Sequence, residues 1–559
     1  MNLPADRYQA IYPHCRRILG KQTWGRILAA SAADSEPGAL PEFLQQWQQE
    51  LDLPPFIADL ARIERACHDV KKDKHVATPH VSQTTLNPTL KIVPVAWKNL
   101  LTLMTAAAAV GKGVHADPDI FIAVWRHPKS GRLHLREADQ ADLLALKITV
   151  ENITPGEAAA HGQADAAVIQ AALRRAVKKG LLQAPASLIR RETASSKNVP
   201  LPLKPFVKAD IFTLQWHITQ ACDLHCRHCY DRSERDPMPL ETALGVLDDF
   251  DAFCRQMQVS GQVTFTGGNP LLYPHFNRIY RAAAGRGFGV AILGNPSPMG
   301  AVEKLLNIAR PLFFQVSLEG LAPHNNVIRG AGHFERTLDF LDQLRSLNIY
   351  TMVMLTLSRD NIDQVLPLAD LLRDRADHFT FNRLATVGEG ARLAMASPAA
   401  FRIFLRQYEA CARENPLLGL KDNLLNLIRC ESGQALCGGC TGFGCGAAFN
   451  FVALLPDGEV HACRKFPSLI GNVHQSRLID IYHSRQARRY RNGSQSCRDC
   501  PLNLVCRGCM AVAYSLGLDV FKDRDPFCFV TPEIQQRVLA QRLTNPAGGI
   551  NNHAGTRLR

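Results

Sequence analysis

The chain has 559 residues, of which 46% are hydrophobic, so several folded domains are expected rather than one core or a disordered chain. Its formal net charge is +13, but it lacks a compact basic block with interleaved aromatic residues, which argues against a nucleic-acid-binding protein. No apolar run approaches the ~20 residues of a membrane-spanning helix. The N-terminus lacks a basic-then-apolar signal pattern, so we expect a cytoplasmic protein with no membrane partner.

Cysteine usage is the second strong compositional signal. The chain has 17 cysteines; only Cys15 and Cys67 precede residue 222, and ten lie between Cys430 and Cys528. In a cytoplasmic protein this distribution favours metal or redox chemistry over disulfides. The odd total also argues against a simple set of disulfide pairs.

The N-terminal third is predicted to form two domains. Apolar residues at three-to-four spacing over 41–47 and 56–63 predict a helical domain at 1–75. A polar linker leads to a second domain at 89–184, in which two strands, at 120–125 and 132–136, flank a turn. Three helices are predicted after these strands, at 140–147, from about residue 154, and at 165–179. Asp139 is the candidate N-cap of the first helix.

A hairpin packed with three short helices resembles a winged helix. The segment also resembles the peptide-binding recognition element found with maturases of ribosomally synthesised peptides. That resemblance implies that a leader peptide adds as a strand to the edge of the sheet. A DNA-binding module and a purely structural appendage are the alternatives.

Beyond a Pro/Ser/Lys-rich linker at 185–206, strands and helices alternate. Helical segments lie between the strands; one of them places Leu240, Leu244 and Leu247 on one face. The alternation indicates an α/β fold with a parallel sheet curved into a partial barrel and ligand chemistry at the carboxyl ends of the strands. Six strands are predicted, at 211–218, 262–266, 288–293, 313–318, 350–357 and 378–383.

A Cys-x3-Cys-x2-Cys run, Cys222, Cys226 and Cys229, follows the first of these strands. Three thiolates on one short loop can hold three irons of a four-iron cluster and leave the fourth iron without a protein ligand. Such an open iron is a place for chemistry, whereas a structural metal site is closed. A zinc site is the alternative, with His225 or His228 as its fourth ligand.

The run and its position resemble the radical S-adenosylmethionine (radical SAM) superfamily. The resemblance implies a partial (β/α)6 TIM-like barrel, a [4Fe-4S] cluster with S-adenosylmethionine, and hydrogen abstraction from substrate by a 5′-deoxyadenosyl radical. It also implies that the turn Gly267, Gly268, Asn269 and Pro270 receives the amino group of S-adenosylmethionine. The family's usual turn is Gly-Gly-Glu-Pro. Asn269 keeps an acceptor oxygen but has no charge, which questions the salt-bridge part of that recognition.

Further polar residues at strand ends match the same family. Ser317 and Glu319 leave the fourth strand on one face, and Arg329 is placed to meet a carboxylate. The resemblance implies that these three contact S-adenosylmethionine; each alone would also fit a loop-capping residue. Residues 294–296 and 382–383, at the ends of the third and sixth strands, are expected to contact ribose or adenine.

The C-terminal cysteines resemble the SPASM extension of radical maturases, which carries two auxiliary four-iron clusters. Cys506 and Cys509 stand one residue closer together than in the family's form. Cys437 is an alternative to Cys440 as a ligand, and two zinc ribbons are the alternative to the clusters. The resemblance assigns Cys440, Cys445, Cys463 and Cys509 to the first auxiliary cluster and Cys497, Cys500, Cys506 and Cys528 to the second. The remaining six are expected to be small buried hydrophobes: Cys15, Cys67, Cys254, Cys411, Cys430 and Cys437.

The resemblances predict the organisation of the rest of the chain: a radical SAM core at 207–395, a helical bridge at 396–436, a SPASM domain at 437–530 and a tail at 531–559. The predicted function is radical modification of a ribosomally synthesised precursor peptide, such as thioether formation at cysteine, with a flavodoxin or ferredoxin as reductant. The Gly-Gly-Asn-Pro turn and the long N-terminal region resemble the selenobiotic-family peptide maturases. A sulfatase-type formylglycine maturase and an iron–sulfur DNA-binding regulator are the rival functions.

Overall fold

The computed structural model describes residues 4–30, 37–73, 81–105, 113–153, 155–162, 166–192, 199, 201–534 and 536. The chain divides into an N-terminal unit, residues 1–164 and 168–186, and a C-terminal unit, residues 165–167 and 187–559. Most of the tail predicted at 531–559 lies outside the described residues. Within the described part of the chain, no helix is both long and apolar enough to cross a membrane.

The N-terminal unit begins with four helices: α1 (Pro4–Ile11), α2 (Pro13–Ala30), α3 (Leu40–Gln46) and α4 (Ile57–Lys72). Helix α4 buries Leu60, Ile63 and Val70, which recur at helical spacing. Its buried Glu64 accepts hydrogen bonds from the backbone N–H groups of His14 and Cys15 at 2.7 and 3.0 Å. These donors belong to the first turn of α2, which has no partners for them within the helix.

Two small antiparallel sheets follow. The strands are β1 (Thr85–Leu86), β2 (Lys91–Lys98), β3 (His115–Arg126), β4 (Leu133–Glu137) and β5 (Leu182–Gln183). One sheet has the order β2–β3–β4, and the other pairs β1 with β5. Strands β3 and β4 form the predicted hairpin. The sequence did not predict β2, because Pro94 interrupts its apolar run. Proline lacks the N–H that a strand donates, so its presence argues against a strand.

Three helices complete this unit, and each lies where the sequence predicted one: α5 (Gln140–Glu151), α6 (Pro155–Gly162) and α7 (Ala166–Lys179). Asp139 caps α5, as predicted. Its Oδ1 accepts a hydrogen bond from the N–H of Asp142 at 2.9 Å, and the Asp142 carboxylate accepts one from the N–H of Asp139 at 3.4 Å. This reciprocal pair satisfies two backbone donors at the helix start.

The centre of the C-terminal unit is a parallel sheet. Its strands are β6 (Ile211–Thr219), β7 (Ser260–Gly267), β8 (Gly289–Leu293), β9 (Phe314–Ser317), β10 (Thr351–Leu357) and β11 (His378–Arg383). They pair in sequence order, and each lies within two residues of its predicted bounds. Leu214, Trp216 and Ile218 alternate along β6 and are fully buried. The carboxyl ends of all six strands therefore meet at one edge, and the Cys222 loop leaves β6 there.

Helices alternate with these strands and continue into the bridge. They are α8 (Leu240–Met257), α9 (Phe276–Gly285), α10 (Met299–Leu306), α11 (Ala322–Arg329), α12 (His333–Ser346), α13 (Val365–Leu371), α14 (Pro398–Glu414) and α15 (Leu425–Glu431). Helix α8 buries Leu240, Leu247 and Phe250, on the predicted face. Leu244 on the same face is partly buried against the core.

The cysteine-rich region extends the parallel sheet, which the sequence did not predict. Its strands are β12 (Phe451–Leu454), β13 (Glu459–His461) and β14 (Leu469–Asn472). Strand β12 pairs in parallel with β6, so the sheet has nine strands among the described residues. Helices α16 (Leu478–His483), α17 (Arg485–Asn492) and α18 (Met510–Ser515) complete the region. Strands of three or four residues are too short to show a period.

Candidate active site

The structure brings Cys222, Cys226 and Cys229 together at the carboxyl edge of the sheet. The N–H of Cys229 donates to the carbonyl oxygen of Cys226 at 3.1 Å, which closes a turn between the second and third cysteines. Burial raises the pKa of Cys226 and of Cys229, and the neighbouring thiols, including Cys222, raise both further. Three acidic groups whose charges repel one another in this way favour a bound cation that takes all three as thiolates.

The Gly267–Gly268 turn holds the cysteine loop against the sheet. The N–H of Gly268 donates to Thr219 O at 3.0 Å, and the N–H of Asn269 donates to Ala221 O at 2.8 Å. A Cβ on Gly268 would lie 2.1 Å from Ala221 O, and Gly267 has φ +130°. The glycines are required here because the backbone of the cysteine loop approaches them closely.

Glu319 joins the cysteine loop to two strand ends. Its buried carboxylate accepts hydrogen bonds from Arg329 Nη2 at 2.6 Å and from the N–H of Thr356 at 2.7 Å, and its Oε1 lies 3.2 Å from His228 Nε2. Burial by itself would raise the pKa of Glu319, but the charges of His228 and Arg329 hold it well below its usual range. Arg329 Nη1 in turn lies 3.7 Å from Cys226 Sγ. The carboxylate is thus committed to protein groups.

Ser317 lies at the last position of β9, half-buried and in register with Met354 of β10. Pro270 is buried and begins a short 3-10 turn. Ser317, Pro270 and the Glu319–Arg329 pair therefore all lie at strand ends near the cysteine loop. Arg383, by contrast, was expected to contact ribose or adenine and does not have a free guanidinium. It forms ion pairs with Asp422 at 2.8 Å and Asp525 at 2.7 Å.

His228 provides a test of whether the loop suits a bound group. Its Nδ1 is buried and has no hydrogen-bond partner in the described part of the protein. Buried polar atoms in native proteins are nearly always paired, so this atom indicates a partner that is bound in the functional state. A single zinc ion is not favoured, because no three His, Cys, Asp or Glu side chains of the described residues converge closely enough for one ion. The open iron of a larger cluster fits the loop better.

The first auxiliary group assembles from three segments of the chain, around residues 440–445, 463 and 509. Burial raises the pKa of Cys445 and of Cys463, and neighbouring thiols raise both further. Cys440 and Cys509 raise the pKa of Cys445, and Cys509 and Cys445 raise the pKa of Cys463. Burial also raises the pKa of Cys437 to about 11. The backbone N–H of Cys437 donates to Asn426 Oδ1 at 2.8 Å. The four thiols near one another are those expected for the first auxiliary cluster. Their proximity favours Cys440 over Cys437 as the ligand.

The second auxiliary group lines a single cavity. Its walls contain four cysteine side chains together with Arg524 and Asp525. The four are Cys497, Cys500, Cys506 and Cys528. This is the set expected for the second auxiliary cluster. The first and last of these cysteines are 31 positions apart in the sequence.

Two asparagines of the bridge, neither of which was predicted as a site residue, join the two auxiliary groups. Asn423 accepts a hydrogen bond from the N–H of Cys440 at 2.8 Å and donates to Gly508 O at 2.6 Å. Asn426 donates to Val505 O at 2.9 Å. Asn423 lies in the turn before α15 and Asn426 lies on α15. Asparagine is ordinary in both places, so no sequence pattern could have identified them.

Arg383 and Asp525 form a second missed connection. The guanidinium is bidentate to Asp525, at 3.0 and 2.7 Å, and Asp525 Oδ2 also accepts the N–H of Cys509 at 2.8 Å. The last strand of the barrel is thereby fixed to a region that carries cysteines of both auxiliary groups.

Two family models match the chain. The radical SAM superfamily matches residues 216–372, and the iron–sulfur cluster-binding SPASM domain matches residues 445–510. The chain contains a radical SAM domain and a SPASM domain. It is therefore an enzyme whose radical SAM domain binds a [4Fe-4S] cluster and S-adenosylmethionine and whose SPASM domain binds auxiliary iron–sulfur clusters.

Relatives of this radical SAM–SPASM enzyme have several activities. The chain is 25% identical to an AdoMet-dependent heme synthase of Methanosarcina barkeri, over 57% of this chain and 96% of that protein. It is 28% identical to a mycofactocin maturase of Mycobacterium ulcerans, over 62% and 94%. The antilisterial bacteriocin subtilosin biosynthesis protein AlbA of Bacillus subtilis is 25% identical over 57% and 69%. A solved structure, Streptococcus suis SuiB bound to S-adenosylmethionine, aligns with a TM-score of 0.48 and 16% identity over 73% of this chain and 96% of that chain.

The buried ion cluster predicts a large effect on stability. Arg383→Met leaves Asp422 and Asp525 buried without their cation, and we expect a loss of about 3–5 kcal/mol in the free energy of unfolding. Arg373→Met is the matched control, because Arg373 pairs with Asp370 on the surface and should change stability by less than about 1 kcal/mol. Urea denaturation of the iron-free chain measures both. Equal stability of the two variants would contradict the role given to Arg383.

The three cysteine groups predict the iron content. Anaerobically reconstituted protein should hold about twelve irons, and Cys226→Ala and Cys500→Ala should each hold about eight because each loses one cluster. The expectation that Cys411 is buried is wrong, because it is exposed on α14. Since it also lies far from the three groups in sequence, Cys411→Ala is the control. Iron and acid-labile sulfide assays measure the stoichiometry, and zinc in place of iron would refute the cluster assignment.

Proposed function

We propose that this protein is a cytoplasmic maturase that uses radical chemistry to modify a ribosomally synthesised peptide. The observation that supports this most is a separate N-terminal unit with a sheet edge, in a chain that also carries one group of three cysteines and two groups of four. When bound, the cluster and S-adenosylmethionine supply a radical that removes hydrogen from the substrate. The auxiliary groups suit an electron relay from the modified peptide, and a flavodoxin or ferredoxin supplies the first electron.

The N-terminal sheet supports capture of an extended leader peptide. Its two edge strands are β2 and β4. Strand β2 carries Pro94, which has no N–H to donate, whereas β4 contains no proline and can pair through the backbone groups on the edge that does not face β3. We therefore assign the leader to the edge of β4, where main-chain hydrogen bonds would supply affinity. The net charge of +13 favours an acidic leader.

The relatives support a peptide substrate but do not determine the bond formed. The mycofactocin and subtilosin proteins are named for peptide products, whereas the heme synthases are named for a tetrapyrrole. A thioether or related crosslink at a peptide cysteine is our specific proposal. Turnover of a porphyrin and not of any peptide would favour the heme-synthase activity instead.

The roles of the cysteine groups predict separable losses. Cys226→Ala should abolish cleavage of S-adenosylmethionine, because the open iron is lost, whereas Cys500→Ala should retain cleavage and lose product. Synthetic peptides encoded in the neighbouring reading frames are incubated with enzyme, S-adenosylmethionine and dithionite without oxygen. Chromatography measures 5′-deoxyadenosine, and mass spectrometry measures the peptide. Persistence of modified peptide with Cys500→Ala would show that the second auxiliary group is dispensable.

The leader-binding role predicts the effect of removing the N-terminal unit. A chain lacking residues 1–186 should bind the same peptides at least about tenfold more weakly, since it loses the main-chain hydrogen bonds to β4. Its cleavage of S-adenosylmethionine without peptide should be unchanged, which serves as the internal control for folding. Fluorescence anisotropy of labelled peptides measures the affinity. Equal affinity of the two chains would exclude the N-terminal unit as the leader site.

A further inference from the structure

Three carboxylates lie on the cysteine loop or pack against it, and they differ in what they contact. Glu319 is committed to Arg329, His228 and the N–H of Thr356. Asp231 accepts hydrogen bonds from Gln220 at 3.0 Å and from the N–H of Ser233 at 3.0 Å, and it pairs with Arg235 at 2.9 Å. Asp223 is the third. It directly follows Cys222 and is exposed.

Two amide side chains hold the Asp223 carboxylate by one of its oxygens. Asn295 Nδ2 donates to Asp223 Oδ1 at 2.7 Å and lies 3.6 Å from Cys222 Sγ. Asn269 Nδ2 donates to the same oxygen at 3.3 Å. Among the residues that the structure describes, none donates a hydrogen bond to Oδ2. The side chain is therefore fixed next to the first cysteine with one acceptor oxygen left for a ligand.

The contacts of Asn269 explain why an uncharged residue occupies this turn. Its amide nitrogen donates to Asp223 and to Ser297 Oγ, both at 3.3 Å, and its Oδ1 accepts the N–H of Leu271. Its acceptor oxygen is thus turned away from the loop and used locally. A glutamate here would place a second carboxylate beside Asp223, and like charges at this distance repel. Residues 223 and 269 are complementary as a carboxylate and an amide.

We propose that Asp223 is the residue that binds the amino group of S-adenosylmethionine. The proposal rests on the proposed function and on the place that the radical SAM resemblance implies for this amino group, at the turn of residues 267–270. An amino group there needs an acceptor, and a hydrogen bond to a carboxylate is about twice as strong as one to a neutral oxygen. The charge that the turn lacks at Asn269 is therefore supplied from the cysteine loop. Asn269 and Asn295 act as positioning residues that orient Asp223.

The test measures binding rather than turnover. Equilibrium dialysis on reconstituted, unreduced enzyme gives the Kd for S-adenosylmethionine and for its 2-oxo analogue, in which a keto group replaces the amino group. Asp223→Asn should weaken binding of S-adenosylmethionine about tenfold, in keeping with the loss of one charge-assisted hydrogen bond. It should leave binding of the 2-oxo analogue unchanged. Glu234→Gln removes an exposed negative charge from the same segment and should change neither Kd.

A charge relocation strengthens the test. Asn269→Glu alone should weaken binding by repulsion, whereas Asp223→Asn combined with Asn269→Glu restores one carboxylate and one amide and should recover most of the affinity. Asn295→Leu keeps the charge of Asp223 but removes the amide that orients its carboxylate. It should therefore weaken binding of S-adenosylmethionine and leave binding of the 2-oxo analogue unchanged. Iron content and the visible spectrum show whether Asp223→Asn assembles its cluster. If it does not, the Kd values of Asn295→Leu decide between the outcomes.

The outcomes separate this proposal from the proposed function. An unchanged Kd in Asp223→Asn with a full cluster, or equal weakening of both ligands, would overturn the assignment of Asp223 and leave peptide maturation standing. Failure of the unaltered enzyme to bind S-adenosylmethionine would overturn both.

Discussion

The geometry of the active site depends on the contacts of the buried Glu319 carboxylate. It links the end of β9, the N–H of Thr356 on β10, Arg329 on α11 and His228 on the cysteine loop. A buried carboxylate is stable only when it is paired and fully hydrogen-bonded, so loss of any of these contacts would lower the stability of the folded site. The loop that carries three thiols is therefore held at one place against the sheet, although it has no regular secondary structure of its own.

The cysteine-rich region uses the same physical device. Strand β12 pairs with β6, and the ion cluster of Arg383, Asp422 and Asp525 fixes the last barrel strand to the loop of Cys509. The two ends of the parallel sheet are thus both attached to the SPASM domain. The three cysteine groups are therefore all carried by one sheet and the loops attached to it.

Sequence patterns predicted the barrel well because its strands are buried and its helices amphipathic. Six strand positions and the capping residue Asp139 follow from local periodicity and hydrogen-bonding chemistry. Strands β12 to β14 were missed because they are short, and β2 because of Pro94. The interpretation of residues 382–383 as nucleoside contacts was wrong for Arg383, since strand position cannot reveal that two distant carboxylates take up its guanidinium.

The sequence by itself determined the chemistry available: the spacing of eleven cysteines, the order of strands and helices, and the missing charge at Asn269. Only the tertiary structure decided which groups are free to use. It paired Glu319 with Arg329, brought Cys440 close to Cys445, and set Asp223 against two amides. The physical reason is that hydrogen bonds and charges act over a few ångströms in space, whereas these partners are separated by tens of residues in the chain.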